Sequence, residues 1–365
     1  MTIAPVSRVS AKQPGKRLQR ATTGLPRMIA LRLLTVPLVL WALATLVFVA
    51  LRLLPGSPAK SLAAGGASDQ TAAQITANAE EITRNLGLDK SLPEQYLIYL
   101  KDLLSGDFGE SYFGGNDVLG LIGNALPATI ELTVAAMLIA VAIGGVTGLW
   151  AALRKDTWVD TATRAAATVT FSLPWFALGV LGIVVFGVWL GWLPVIGRVP
   201  NRLEYDPFTN FVLLDAILQD RPELIWPWMQ HLILPASTLA LSTAGFITRI
   251  VRASVLEVLG DDFVRTAQMK GLDEQQVVRR HVLRNSALPI ITVLGLQFGT
   301  LLGGSTVTET VFSYPGVGVL LVDAVLQRDY PVVQGAALAI ALLFTLVNAA
   351  VDVLYLVLDP RLGES

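Results

Sequence analysis

Cysteine is absent from this 365-residue chain, and histidine occurs only twice, at His231 and His281. Without thiols there is no disulfide framework, no thiolate metal site and no thiol nucleophile. Neither histidine sits in an HExxH pair, so a His-rich metal site is excluded. Charge is scarce too. Only 15% of residues are Asp, Glu, Lys or Arg, against about 25% in a typical soluble protein. Much of the surface therefore faces something other than water. The chain also lacks a GxxxxGK[ST] phosphate loop and a GxSxG nucleophile elbow, so on its own it does not hydrolyse ATP by a P-loop mechanism.

What is present is apolar sequence in long runs, with 53% of residues hydrophobic. A membrane helix needs about 20 mostly apolar residues. Six windows qualify: 29–54, 128–153, 165–189, 232–251, 288–311 and 332–357. The first is too long for a signal-peptide core of about 7–15 residues. It carries Arg32 and Arg52 near its ends, where long cationic side chains reach the headgroups. Pro174 interrupts the third window, which is tolerable if neighbouring helices satisfy the freed carbonyl. The expected architecture is an all-α polytopic membrane protein with six transmembrane helices.

Basic residues orient the spans. Segment 1–28, loops 154–164 and 252–287 and the tail 358–365 hold sixteen Lys and Arg, while segments 55–127, 190–231 and 312–331 hold eight. That bias places both termini in the cytoplasm of a multi-pass protein of the cell (plasma or inner) membrane, in contact with lipid. The basic segment 1–28 reads as a topogenic tail, with specific lipid or nucleic-acid binding as the alternative. No nucleic-acid partner is expected. Segment 55–127, with nine acids and four bases, reads as a folded external insert. Within it LPEQYLIYLKDLLSG has helical spacing and a stop at Gly106. Segment 190–231 is a second external loop, whose Trp192, Trp226 and Trp228 suit the interface belt.

Gly144 and Gly148, and likewise Gly299 and Gly303, have GxxxG spacing. That pattern serves close helix packing or close approach of a passing solute. Ionisable residues inside the windows are few: Glu131, Arg249, Glu309 and Asp352, mostly near the ends. A self-powered carrier commonly shows a relay of such groups at mid-depth. Their scarcity argues against the alternative of a self-sufficient channel or secondary carrier. With no nucleophile–base or metal constellation, a membrane enzyme is disfavoured, and no cofactor is expected in this chain.

The polar stretch 261–285, DDFVRTAQMKGLDEQQVVRRHVLRN, breaks the apolar pattern. Asp262 is expected to cap a helix from Phe263 to Lys270, stopped by Gly271. Eight residues span roughly 12 Å, too short for a helix stable alone in water. Asp273, with Gln276 as a capping box, is expected to start a second helix reaching Asn285. The short helix either folds back on its own bundle or protrudes into a partner. Phe263, Val264 and Met269 interleaved with Arg265 and Lys270 are the mixture of a non-obligate interface.

The run RTAQMKGLDEQQVVRRHVL resembles the cytoplasmic EAA-type signature of bacterial ABC-transporter permeases. Arg265, Thr266 and Ala267 stand at the triplet and Gly271 at the glycine, while Arg284 replaces the distal proline. LRLLPGSPA, LGLDKSLPEQYLIYLKDLLSGDFGESY, LPATIELT, SLPWF, TETVFSYPGVGVLLVDAVLQRDYPVVQG and NAAVDVLYLVLDPRL resemble the B-type permease of the dipeptide/oligopeptide (and nickel/glutathione) importer family. Residues 1–28 and much of 195–225 lie outside the resemblance. The resemblance implies a cytoplasmic coupling helix, with Asp262, Phe263, Arg265, Thr266, Ala267, Lys270, Gly271 and Leu272 at the ATPase contact. It also implies three kinds of partner: a second (C-type) permease lining the path, two ATPase domains that bind ATP and Mg, and an external solute-binding protein. The turn at Pro315 and Gly316 in VFSYPGVG is then a candidate external gate, and Gln297, Thr300 and Glu309 are candidate pathway residues. Import of peptides or related small solutes is likewise what the resemblance implies.

Overall fold

The computed structural model describes residues 35–65, 72–200 and 202–358. Residues 1–28, the start of the first window and the tail beyond 358 lie outside the described residues. The spanning helices are α1 (Thr35–Leu53), α5 (Val118–Leu153), α9 (Ile225–Leu259), α12 (Leu283–Val311) and α14 (Tyr330–Leu358). A bent pair, α6 (Trp158–Ser172) and α7 (Trp175–Gly182), supplies a sixth span if counted as one. Between α1 and α5 lie α2 (Pro58–Gly65), α3 (Ala72–Asn85) and α4 (Leu92–Ser105). Before α9 comes α8 (Val212–Leu218). Two short helices, α10 (Asp262–Met269) and α11 (Glu274–Val277), separate α9 from α12, and α13 (Val317–Gln327) separates α12 from α14. Among the described residues no strand forms. In hydrocarbon each backbone group must be satisfied within its own segment, which leaves helices as the element these apolar runs can build.

The third window is not a continuous helix. Leu173 (ψ 132°) and Pro174 (ψ 141°) are extended, because a residue preceding proline is pushed out of the helical region. The two halves meet at 99°, and α7 runs on into a π-helical turn, Ile183–Trp189. The second, fourth, fifth and sixth windows underestimate their helices. α5 has 36 residues, about 54 Å of helix, against a hydrocarbon core of about 30 Å. Its extra length reaches the 107–117 turn, where the Asp117 carboxylate accepts from the Gly120 amide at 2.7 Å.

The bundle is organised around the α5–α9 crossing. A Cβ on Gly144 would lie 2.7 Å from Ile247 Cβ, and one on Gly148 would lie 2.7 Å from the Thr248 carbonyl oxygen. Both glycines therefore serve helix packing rather than a solute path. Of the second pair, Gly299 packs against the Phe344 ring, whereas Gly303 meets nothing within 4 Å. The crossing buries Ala140, Ala244, Ile247 and Val251 in one apolar cluster. Asp160, fully buried, braces it: Arg252 donates Nε to Oδ1 and Nη2 to Oδ2, both at 2.7 Å.

At the end of the bundle away from α10, charged groups tie the loops down. Glu131 on α5 accepts from Arg198 Nη2 at 2.6 Å, from Trp228 Nε1 at 3.0 Å and from the Val212 amide at 2.8 Å. Trp228 is thus buried and hydrogen-bonded, unlike Trp192 and Trp226, which are exposed. Asp215 accepts from the Tyr205 and Thr209 hydroxyls and from the Phe208 and Thr209 amides. Burial raises its pKa, but those four donors outweigh burial and hold the carboxyl below its usual range. The described residues of 190–224 consequently form a structure with its own polar core.

This packing makes a direct prediction. Gly148→Leu forces side-chain atoms into the α9 backbone and is expected to abolish the monodisperse folded chain on fluorescence-detected gel filtration. Gly145→Ala, at a glycine with nothing within 4 Å of a Cβ, is expected to elute as the unmodified chain does.

Candidate functional site

The 261–285 stretch divides as its polarity suggests, with its boundaries shifted by one residue. Asp261 (ψ 147°) is extended and occupies the N-cap position, while Asp262 is already helical. Neither carboxylate caps α10, since no side-chain cap bond forms. Asp262 instead supplies negative charge to the first turn, favourable beside the partial positive charge of a helix start. The other end is closed fully. Gly271 has φ +80°, the Leu272 amide donates to the Ala267 carbonyl at 3.4 Å, and the Gly271 amide donates to the Gln268 carbonyl at 2.9 Å. That pair of bonds is a Schellman motif, and its usual apolar contact is present: Ala267 and Leu272 belong to the same cluster.

Packing explains how so short a helix persists. Val264 and Ala267 are buried against Val255, Val258, Val277 and Val282 at the end of the α5–α9 crossing. Phe263, Arg265, Thr266, Met269, Lys270 and Gly271 are exposed. Met269, 81% exposed, is the most open of the apolar pair it forms with Phe263. The expectation that this helix folds back on the bundle holds for one face, and the other face has no partner among the described residues. The Arg265–Asp262 pair, 3.8 Å apart and open to solvent, contributes little to stability.

The second helix is not separate. α11 passes through a π-helical turn, Val278–Val282, directly into α12. Asp273 is extended at the N-cap but makes no capping bond, so the capping box expected with Gln276 does not form. α10 thus stands between two long helices, α9 and the α11–α12 column.

The candidate pathway residues separate into two groups. Thr300 is exposed and Gln297 half-buried. Thr300 lies on a stripe of exposed positions along α12, with Thr292, Leu296, Gly303 and Val307. Glu309 and Gly316 are elsewhere, enclosed in protein. Glu309, fully buried, accepts from Thr129 Oγ1 at 2.7 Å, the Gly318 amide at 2.8 Å and the Val319 amide at 3.2 Å. Thr129 Oγ1 also accepts from the Val317 amide at 2.9 Å. The first three amides of α13, which its own turn leaves without partners, are satisfied from α5 and α12. Gly316 is required because a Cβ there would strike the Glu309 carboxyl, and one on Gly318 would lie 2.5 Å from Thr306 Cα. In this structure Glu309 and Gly316 therefore anchor α13. Pro315 is exposed in the turn that precedes them.

Sequence reasoning missed Thr129 and Asp160 because their partners are 180 and 92 residues away. It also gave no sign of Arg328, a left-handed residue at the end of α13 (φ 61°). Its guanidinium donates to the Pro55 carbonyl at 3.0 Å and to Ser61 Oγ at 3.2 Å, filling the space a Gly56 Cβ would need. Asn348 Nδ2 donates to its own helix at the Phe344 carbonyl, and the Asp352 side chain is outside the described residues. Removing the α13 anchor has a measurable consequence. Glu309→Ala leaves three buried donors unpaired, at about 1–3 kcal/mol each, and is expected to lower the thermal midpoint of the detergent-solubilised chain. An unchanged midpoint would contradict the anchor role.

Comparison with known proteins identifies the family to which this bundle belongs. The family described as binding-protein-dependent transport system inner membrane component matches residues 144–364, and its N-terminal counterpart matches 25–133. The chain is 42% identical over 317 residues to the Di/tripeptide transport system permease protein DppB of Pseudomonas aeruginosa, covering 87% of this chain and 93% of that one. It is 38% identical to the Dipeptide transport system permease protein DppB of Alkalihalophilus pseudofirmus, covering 91% and 97%. It is 41% identical to the Probable D,D-dipeptide transport system permease protein DdpB of Escherichia coli, covering 90% and 94%. In fold it is similar to the inward-facing MetNI methionine ABC transporter, with TM-score 0.51 and 17% identity over 66% of this chain and 97% of that one. The chain belongs to the family of binding-protein-dependent transport system inner membrane components, as a multi-pass, non-enzymatic ABC importer permease.

Proposed function

We propose that this chain forms half of the translocation pathway of an ATP-driven importer for di- or oligopeptides or related small solutes. The carrying observation is α10: a capped two-turn helix seated by Val264 and Ala267, with its other face unpartnered. The peptide class rests on the names of relatives 38–42% identical over most of the chain.

In this reading Asp262, Phe263, Arg265, Thr266, Lys270 and Gly271 contact a cytoplasmic ATPase subunit. Ala267 and Leu272 act from behind, seating the helix. Two ATPase domains bind ATP and Mg and supply the energy. A second permease completes the pathway, and a solute-binding protein delivers the solute at the end opposite α10. Both termini are cytoplasmic. The exposed stripe of α12, with Thr300 and its neighbour Gln297, faces the path shared with the second permease. The uncharged mixture of threonine, glycine and aliphatic residues there gives a surface that holds no solute tightly, which suits a varied cargo. Pro315 marks the outer end, where α13 is held by Glu309 and Gly316. Force is carried by α9 and the α11–α12 column, which flank α10 in the chain and share its apolar cluster.

The conformation of Gly271 supplies the test. Its Cβ position is empty of neighbours, so only the positive φ opposes a side chain. A left-handed β-branched residue costs about 1–2 kcal/mol, a factor of about 5–30 in the population of the closed cap. In complexes reconstituted with both ATPases and the binding protein, Gly271→Val is expected to reduce ATP-driven dialanine uptake by that factor. Gly271→Asn, which tolerates positive φ, should retain most uptake. Equal uptake by the valine variant and the unmodified complex would refute coupling through α10.

A further inference from the structure

At the end of the bundle opposite α10, a cavity of about 350 Å³ opens between α1, α4, the turn near Asp107 and the start of α14. Three buried polar atoms without hydrogen-bond partners among the described residues belong to its lining: Arg52 Nη1, Tyr99 Oη and Gln334 Nε2. Each unpaired buried donor costs about 1–3 kcal/mol, so three in one cavity ask for an acceptor.

The donors are held in place. The Arg52 guanidinium lies 4.3 Å from the Phe48 ring centre and 4.9 Å from that of Tyr330. Its Nε and Nη2 donate to Gln95 Oε1 at 3.2 and 3.0 Å, which leaves Nη1 as the free edge. Gln95 Nε2 in turn donates to the Leu88 and Lys90 carbonyls at 3.1 and 2.9 Å, fixing the cavity wall. Burial, with Tyr96 beside it, pushes the Tyr99 hydroxyl up to about 12, so it stays protonated and donates at neutral pH. Arginine and an amide nitrogen donate as well, and neither accepts. The set matches a carboxylate.

The lining also holds two acidic residues. Asp102 and Asp107 face the same cavity, and neither forms an ion pair among the described residues. Lys90, also in the wall, is paired with Glu94 at 3.9 Å. An inorganic anion would meet those two carboxylates unfavourably, whereas an ammonium group would not.

We infer that this cavity binds a small soluble zwitterion, its carboxylate on Arg52, Tyr99 and Gln334 and its ammonium group toward Asp102 and Asp107. The volume is at the lower end of small-molecule sites, about 300–1,000 Å³, and fits an amino acid or a short peptide. The site is distinct from the α10 surface and from the α12 stripe. A phosphatidylethanolamine headgroup carries the same pair of charges, and the test separates the two sources.

The full-length chain alone, in nanodiscs made without phosphatidylethanolamine, is titrated with radiolabelled dialanine in the absence of ATP. Saturable binding is expected, weaker for N-acetyl-dialanine and for dialanine amide. Tyr99→Phe and Gln334→Leu are each expected to weaken dialanine binding about tenfold or more, the value of one hydrogen bond to a charged group. Tyr99→Phe removes only an unpaired hydroxyl, so its thermal midpoint without ligand should be unchanged or higher. Absence of saturable dialanine binding, or unmodified affinity in both variants, overturns the inference. So does stoichiometric phosphatidylethanolamine that copurifies with the unmodified chain and is lost from the variants. Equilibrium binding without ATP is independent of the importer reading, which stands or falls on uptake.

Discussion

The burial of two small apolar side chains, Val264 and Ala267, against the end of the α5–α9 crossing is the contact on which the account depends. An eight-residue helix loses in water the contest between a few hydrogen bonds and the entropy of ordering its backbone. Here the balance shifts because the apolar face is removed from water and the C-terminal carbonyls are closed by Gly271 and Leu272. The crossing itself exists because Gly144 and Gly148 let two helix backbones touch. Small residues inside the membrane thus fix the position of a helix outside it. The Asp160–Arg252 bridge, between α6 and the last turns of α9, braces the same region.

The other end is built by a different rule. Helix starts and loop amides are satisfied by carboxylates from distant segments. Glu309 with Thr129 holds α13, Glu131 holds the 198–212 segment and Asp215 holds 205–209. Each is buried with several donors, as a buried carboxylate must be to offset its loss of water. Ionisable groups in or near the spans therefore mark fixed points of the scaffold. This sharpens the argument against a self-powered carrier: these acids are committed to backbone and side-chain donors rather than arranged as a relay.

Legibility followed the range of the interactions. Apolar runs revealed where helices cross, and glycine after a polar helix located the α10 cap, because both are local. The helix limits were less legible: α5 begins ten residues before its window, at Val118, since the turn that starts it is satisfied by Asp117 rather than by apolar content. The bend at Leu173–Pro174 was visible as a proline, but not as a 99° break. The meaning of Gly316 and Gly318 was hidden, because the side chain that excludes a Cβ there is Glu309. Trp228 looked like an interface anchor until Glu131 was found beneath it. Sequence could locate the candidate coupling residues and not divide them, since which face of a two-turn helix is buried depends on neighbours supplied by α9 and α11.

The central claim is that the open face of α10 meets an ATPase subunit while its buried face stays with the bundle. The absence of cysteine permits a clean measurement. A nitroxide attached to Met269→Cys reports on the exposed face by its electron paramagnetic resonance line shape. The account predicts a mobile label in the isolated chain and a strongly immobilised one once catalytically active ATPase subunits are bound. An unchanged, mobile spectrum in that active complex would contradict it.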